Sequence, residues 1–253
     1  MTESHAIQSL RYSRHLGLDD FTQESQIKLS KASALIIGVG GLGTTASLFL
    51  ANSGIGNITL NDYDSVDITN LPRQILFNSD DLGKNKAETA KKKLMQFNPN
   101  ISVKALTEKL QGTQLGEMSS VVDVVLDCTD NLQSRLVINK ACIKNKKALI
   151  SGAAIRYEGH IAVFRNDIAI RSCYNCLYQQ EDENTEDCEG SGIMAPVAGL
   201  VGTVMATEAI KILVGKESML DNKLWVLDAK NNTNQIIKIQ KSKICKECSL
   251  SLI

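Results

Sequence analysis

The sequence has no surplus of charge of either sign. Its 28 Lys and Arg balance 28 Asp and Glu. Without a basic or acidic excess, nothing in the composition favours nucleic acid or a membrane surface, and either partner would have to be recognised locally. No apolar run approaches the roughly twenty residues that span a bilayer. The opening residues, MTESHAIQSLRYSRHLG, are mixed and polar and lack the apolar core of a secretory signal. The expectation is a cytoplasmic protein with neither nucleic acid nor membrane as partner. Histidine is scarce as well. His5, His15 and His160 form no cluster, so no histidine base is expected.

What is present reads as an α/β chain. The 43% hydrophobic and 22% charged fractions are ordinary for a globular protein, and 253 residues suit one large α/β domain with added elements, or two small ones. Ser33 to Val39 is a short apolar run ending in glycines, as in a buried parallel strand. Gly41 to Asn52 is helical, with Gly54 as its stop, and Ile58 to Asn61 is the next strand; together they make a βαβ unit. Further helices are predicted at Lys84 to Phe97, Asn131 to Lys144 and Ala198 to Val214. Further strands are predicted at Ser102 to Leu106, Val121 to Leu126, Ala148 to Ile150, Leu224 to Asp228 and Ile236 to Ile239. Gly159 to Phe164 and Ile168 to Arg171 read as a hairpin, and Gln179 to Gly192 as an acidic loop. The alternation predicts a Rossmann-like, doubly wound, mostly parallel sheet extended by further strands. Nothing divides residues 1–253 into independent domains. Within them lie a helical arm over 1–30, a nucleotide-binding core over 31–152 and a final region over 153–253.

Gly38-Val39-Gly40-Gly41-Leu42-Gly43 fits G-x-G-x-x-G between a predicted strand and a predicted helix. Glycines there let a phosphate approach the free N–H groups at the helix start. Asp62 lies 62 − 43 = 19 residues on, where a carboxylate can accept from a ribose diol. Alone, the loop would suit a nicotinamide or flavin dehydrogenase. The following residues choose otherwise. Asn70 and Arg73, in a loop that ends at Gln74, and Lys86 at the next helix start, offer amide, guanidinium and ammonium groups to phosphates. Asp130, before Asn131, ends a strand at the carboxyl edge of the sheet, where Mg²⁺ would need a carboxylate. A triphosphate needs this set and a dehydrogenase does not. The alternative is a group of solvated surface charges.

Seven cysteines is an odd number. Four form two C-x-x-C pairs, Cys173/Cys176 and Cys245/Cys248, which suit a closed, structural Zn–S₄ site. The 68 residues between the pairs are more than in a short zinc ribbon, and four incidental thiols are the alternative. Cys128 and Cys142 read as packing residues.

In order, RYSRH (Arg11 to His15), GVGGLG, ND-Y-D-x-VD-x-x-NL-x-RQ, G-x-x-K, DCTDN, SGAAIRYEG and the two C-x-x-C pairs resemble the adenylating enzymes of the ubiquitin-activating superfamily. The resemblance runs over roughly residues 9–248. Within the superfamily it is nearest to the enzymes acting on the sulfur carriers of molybdopterin and thiamine synthesis. It implies an ATP site built from Gly38, Gly40, Gly41, Gly43, Asp62, Asn70, Arg73, Gln74, Lys86, Asp130 and Asn131. In that site Gly41 meets phosphates, Asp62 holds ribose, and Asn70, Arg73 and Lys86 hold phosphates, while Asp130 holds Mg²⁺. It also implies Zn²⁺ on the four cysteines and a homodimer in which Arg14 reaches the neighbour's site. Cys188 stands where some relatives capture the activated carrier covalently and others carry a cysteine without needing it, so a catalytic thiol and a loop thiol both remain open.

The implied reaction is adenylation of the C-terminal Gly-Gly carboxylate of a small ubiquitin-like sulfur carrier, with pyrophosphate released. A carboxylate is already a nucleophile, so no base is required; aligned cations at the phosphates lower the barrier. Arg14, Arg73, Lys86, Asp130 and Cys188 are the candidate catalytic residues, Cys188 with the loop-thiol reading beside it. The segments SGAAIRYEGH and GIMAPVAG lean toward the carrier of molybdenum cofactor synthesis, with the thiamine carrier as alternative. With the chain ending just past the second cysteine pair, sulfur would come from a separate donor protein. A nicotinamide dehydrogenase and a non-catalytic binding protein are the rivals from other classes.

Overall fold

The computed structural model describes residues 10–168, 172–178 and 192–249. Strands β1 (Ser33–Ile37), β2 (Asn57–Asn61), β3 (Ser102–Leu106), β4 (Val124–Asp127), β5 (Ala148–Ile155), β6 (Glu158–Arg165), β7 (Lys223–Asp228) and β8 (Thr233–Lys238) form one sheet in the order 3-2-1-4-5-6-7-8. The pairs from β3 through β5 are parallel, and β5 through β8 pair antiparallel. The helices are α1 (Ser13–Leu16), α2 (Gln23–Lys31), α3 (Gly41–Ser53), α4 (Lys86–Phe97), α5 (Gly112–Ser120), α6 (Leu132–Lys144), α7 (Tyr174–Leu177), α8 (Ala195–Leu213) and α9 (Lys246–Ser249).

The apolar runs become central strands because both faces of the sheet are covered. Successive side chains go to opposite faces. Ala34 and Ile36 join one core with Ala46, Leu50 and Met205, and Leu35 and Ile37 join the other with Leu115, Leu136 and Phe164. The strand order departs in opposite directions from β1 and β4, leaving a crevice at their carboxyl ends. Gly38 turns the chain there with φ 88°. A Cβ on Gly38 would stand 2.7 Å from the Cys128 carbonyl oxygen, and one on Gly43 only 1.9 Å from that of Gly38. The two loops flanking the crevice can meet only through glycine.

Several boundaries differ from expectation. The predicted second hairpin strand, Ile168 to Arg171, lies mostly outside the described residues. Ile168 lies in a turn, residues 169–171 lie outside those described, and Glu158–Arg165 pairs instead with β5 and β7. Among its described residues the polar arm is helical at Leu10 and Arg11 and in α1 and α2. The α5 helix has no counterpart in the sequence reading. The α8 helix is long and apolar enough to cross a membrane by length and composition, against the expectation that nothing approaches that length. Here Val197, Val201, Met205 and Ala209 are buried in the core that α8 shares with the sheet and α3.

Candidate functional site

The α3 helix begins at Gly40 with no side-chain cap, so its first N–H groups face the crevice without an internal acceptor. Asp62, at the end of β2, is pinned beside them. Its Oδ2 accepts from Val39 N at 2.7 Å and its Oδ1 from Asp64 N at 2.9 Å. Burial pushes this carboxyl above its ordinary value, against the pull of those two amides and of Lys86. Each oxygen keeps a lone pair for a further donor.

The loop after β2 closes on itself. Asp67 caps the short 3₁₀ turn Ile68–Asn70, and Asn70 Oδ1 accepts from Asp67 N at 3.3 Å. Asn70 is thus partly committed to its own turn. Arg73 donates to Thr69 O at 2.9 Å and lies half-buried at the wall. Gln74 is buried, and its Oε1 has no hydrogen-bond partner. Asn85, capping α4, places Lys86, whose Nζ lies 3.0 Å from Asp64 Oδ2. Only about a tenth of the Lys86 side chain is exposed.

The β4 strand ends not at Leu126 but at Asp127, which is fully buried. Asp127 accepts from Thr129 N (3.1 Å), Thr129 Oγ1 (2.7 Å) and Ser151 Oγ (3.0 Å), and burial pushes its pKa up. Asp130 therefore sits in the turn beyond the strand, exposed, with Asn131 Nδ2 at 3.3 Å. The cap of α6 is Asn131, whose Oδ1 accepts from Ser134 N at 2.9 Å. Asp130 is not the cap.

These groups share one cavity of about 1290 Å³. Gly38, Gly40, Gly41, Asp62, Asn70, Arg73, Gln74, Lys86, Asp130 and Asn131 all line it. Gly43 lies behind it against Gly38, and Arg14 does not line it but stands exposed on α1. Cys188 falls outside the described residues. Sequence reasoning missed Lys109 and Arg135, which also line the cavity. Arg135 grips Thr129 O through Nη2 (2.7 Å) and Nε (3.2 Å). Its position four residues after Asn131, on the α6 turn facing the loop, was the available signal.

Some distance off, the Sγ atoms of Cys173, Cys176, Cys245 and Cys248 lie within 4.8 Å of one another. Three of the separations are 4.0, 3.6 and 3.5 Å. A tetrahedron with Zn–S near 2.3 Å has edges of about 3.8 Å, so the four thiols fit a zinc ion.

Residues 12–249 match the ThiF family. The chain belongs to the ThiF family. It is 38% identical over 239 residues to the sulfur carrier protein ThiS adenylyltransferase of Escherichia coli K12, covering 94% of each chain. It is also 38% identical over 248 residues to the molybdopterin-synthase adenylyltransferase of the same organism, covering 98% of this chain and 99% of that one. Against the adenylyltransferase and sulfurtransferase MOCS3 of Culex quinquefasciatus identity is 34%, over 94% of this chain and 55% of the other. Among solved structures, E. coli MccB with AMPCPP and MccA superposes with a TM-score of 0.83 at 27% identity, covering 95% of this chain and 74% of that one. The family match and these names make the chain an adenylyltransferase and leave the dehydrogenase reading without support.

Proposed function

We propose that the protein uses ATP to adenylate the C-terminal carboxylate of a small ubiquitin-like sulfur carrier ending in Gly-Gly. One observation carries the reading. A single cavity joins an uncapped helix start, a backbone-pinned Asp62 and the cations of Arg73 and Lys86. The N–H groups of α3 would receive phosphate oxygens. Asp62 would accept from the ribose hydroxyls with its remaining lone pairs. The carrier's carboxylate oxygen attacks the α-phosphorus, the bond to the bridging oxygen breaks, and pyrophosphate leaves. Asn70, Arg73 and Lys86 would hold the phosphates in line and offset the charge that develops on them. The Lys86–Asp64 pair keeps that ammonium at the wall before nucleotide arrives. Asp130, exposed to the cavity, would hold a Mg²⁺ that screens the phosphates.

The cavity exceeds the roughly 300–1,000 Å³ of a small-molecule pocket, which leaves space for a thin protein tail beside the nucleotide. Ala153, Ala154 and Gly192 also line the cavity, and Arg156 N donates to Gly192 O at 2.8 Å. MccB has been crystallised with ATP, at 26% identity and a TM-score of 0.80, which supports nucleotide in this crevice. The carrier we assign is that of molybdenum cofactor synthesis, on the segments SGAAIRYEGH and GIMAPVAG, which meet in the Arg156–Ile193 bridge. The four cysteines would hold a structural zinc, a homodimer would bring Arg14 to the neighbouring cavity, and a separate protein would donate the sulfur. ATP–pyrophosphate exchange with the molybdopterin and thiamine carriers, run side by side, tests the assignment. Exchange with the thiamine carrier alone would move the pathway and leave the chemistry intact.

A further inference from the structure

We propose that the cysteine cluster and the nucleotide loop are coupled through one face of α6, with Asn139, Tyr174 and Arg135 as positioning residues. This rests on the reading of zinc and ATP given above. The α6 helix starts at the Asp130–Asn131 turn and ends in the cluster, about 20 Å away at 1.5 Å per residue. Ile143, in its last turn, packs among Cys173, Cys245 and Cys248. Lys140 pairs with Glu247 of α9 at 3.8 Å.

The joint is Tyr174, next to a cysteine of the cluster. Its backbone N–H donates to the fully buried Asn139 Oδ1 at 3.0 Å, and Asn139 Nδ2 donates to Asn175 Oδ1 at 2.8 Å. The first C-x-x-C turn is thereby fastened to α6. The Tyr174 ring stands edge-on to Phe164, with centroids 6.3 Å apart. Its hydroxyl lies 3.5 Å from Arg135 Nη1, one turn before Asn139. Arg135 in turn grips Thr129 O, the carbonyl next to Asp130, while Thr129 supplies two of the donors that satisfy the buried Asp127. A buried carboxylate cannot lose its donors cheaply, so the DCTDN turn has little freedom while Arg135 is held. If the cysteine turn loosens, Tyr174 moves, and the guanidinium that fixes the turn carrying Asp130 loses one of its partners. The coupling is reciprocal: nucleotide ordering the Asp130 turn must tighten the cluster.

The test measures zinc affinity of the purified protein by equilibrium competition with a zinc-selective chelator, with and without saturating ATP, well below the melting temperature. ATP is expected to tighten zinc binding at least about fivefold, the low end of ordinary coupling. Tyr174→Phe keeps the ring against Phe164 and the backbone bond to Asn139. It should retain zinc and Tm, and its ATP effect should fall below about twofold. Unchanged zinc affinity in the wild type despite bound ATP overturns the coupling. So does an equal ATP effect in both proteins, because a merely global stabilisation would not distinguish them. Zinc content and ATP binding by equilibrium dialysis are measured on the same samples. Failure of either binding overturns the functional reading and this inference with it, whereas intact binding without coupling overturns the inference alone.

Discussion

Replacing Asp130 with alanine separates a metal-holding carboxylate from a helix cap. The cap of α6 is already supplied, by Asn131 Oδ1 accepting from Ser134 N at 2.9 Å. Asp130 is exposed, and its side-chain partner in the turn is Asn131 Nδ2 at 3.3 Å. Its loss should therefore move stability by no more than about 0.5 kcal/mol, as for other surface substitutions. Removing one electrostatic stabiliser from a phosphate-transfer site costs ~3 kcal/mol of barrier, or at least about a hundredfold in rate. A lost helix cap would instead cost about 1 kcal/mol, or ~2–4 °C of Tm in a chain of this size, with exchange retained. Pyrophosphate exchange and Tm, measured on the same Asp130→Ala protein, separate the two roles. An Asp130→Ala protein that melts early and exchanges at full rate would refute the reasoning.

Three further outcomes follow from the geometry. Elemental analysis should find one zinc per chain, and Cys245→Ser should lower Tm by several degrees, at ~2–4 °C per kcal/mol, because the tail helix α9 then loses its tie to α7; a metal-free preparation with unchanged Tm would exclude a structural zinc. Arg14→Ala and Arg73→Ala should each be weak, yet a mixture that exchanges subunits should regain part of the activity through hybrid sites, and no recovery would place Arg14 outside the neighbour's site. Gly43→Ala, whose Cβ would stand 1.9 Å from the Gly38 carbonyl oxygen, should cost about 1–3 kcal/mol or more and weaken ATP binding measured by dialysis; an unperturbed variant would show that the loop has slack.

The parts legible in the sequence are those where one signal dominates. The apolar runs of β1 and β4 and the glycines after β1 mark the crevice, and β3 occupies Ser102–Leu106 as its composition predicts. The end of β5 is not legible. Ser151, Gly152, Ala153 and Ala154 carry no branched side chains because α8 packs tightly there; a Cβ on Gly152 would meet Met205 Sδ at 2.3 Å. The β5–β6 turn hides because Arg156, not glycine or asparagine, takes the left-handed conformation, with φ 52°. The start of α8 was open to reading through Pro196 in its first turn. Helix α5 carries two glycines and no side-chain cap, so only Leu115 and Ser119 mark its buried side. In the cavity, the motif residues announce themselves. Arg135, in the cavity, and Asn139, outside it, do not, since their roles depend on which loop and which cysteine turn the helix meets.

The most direct test of the central claim is exchange of labelled pyrophosphate into ATP, with and without a Gly-Gly carrier. The account predicts exchange that depends on the carrier, disappears when its terminal glycine is removed, and falls at least about a hundredfold in Asp130→Ala. Bound ATP with no exchange for any Gly-Gly carrier, or exchange indifferent to the carrier's terminus, would contradict it.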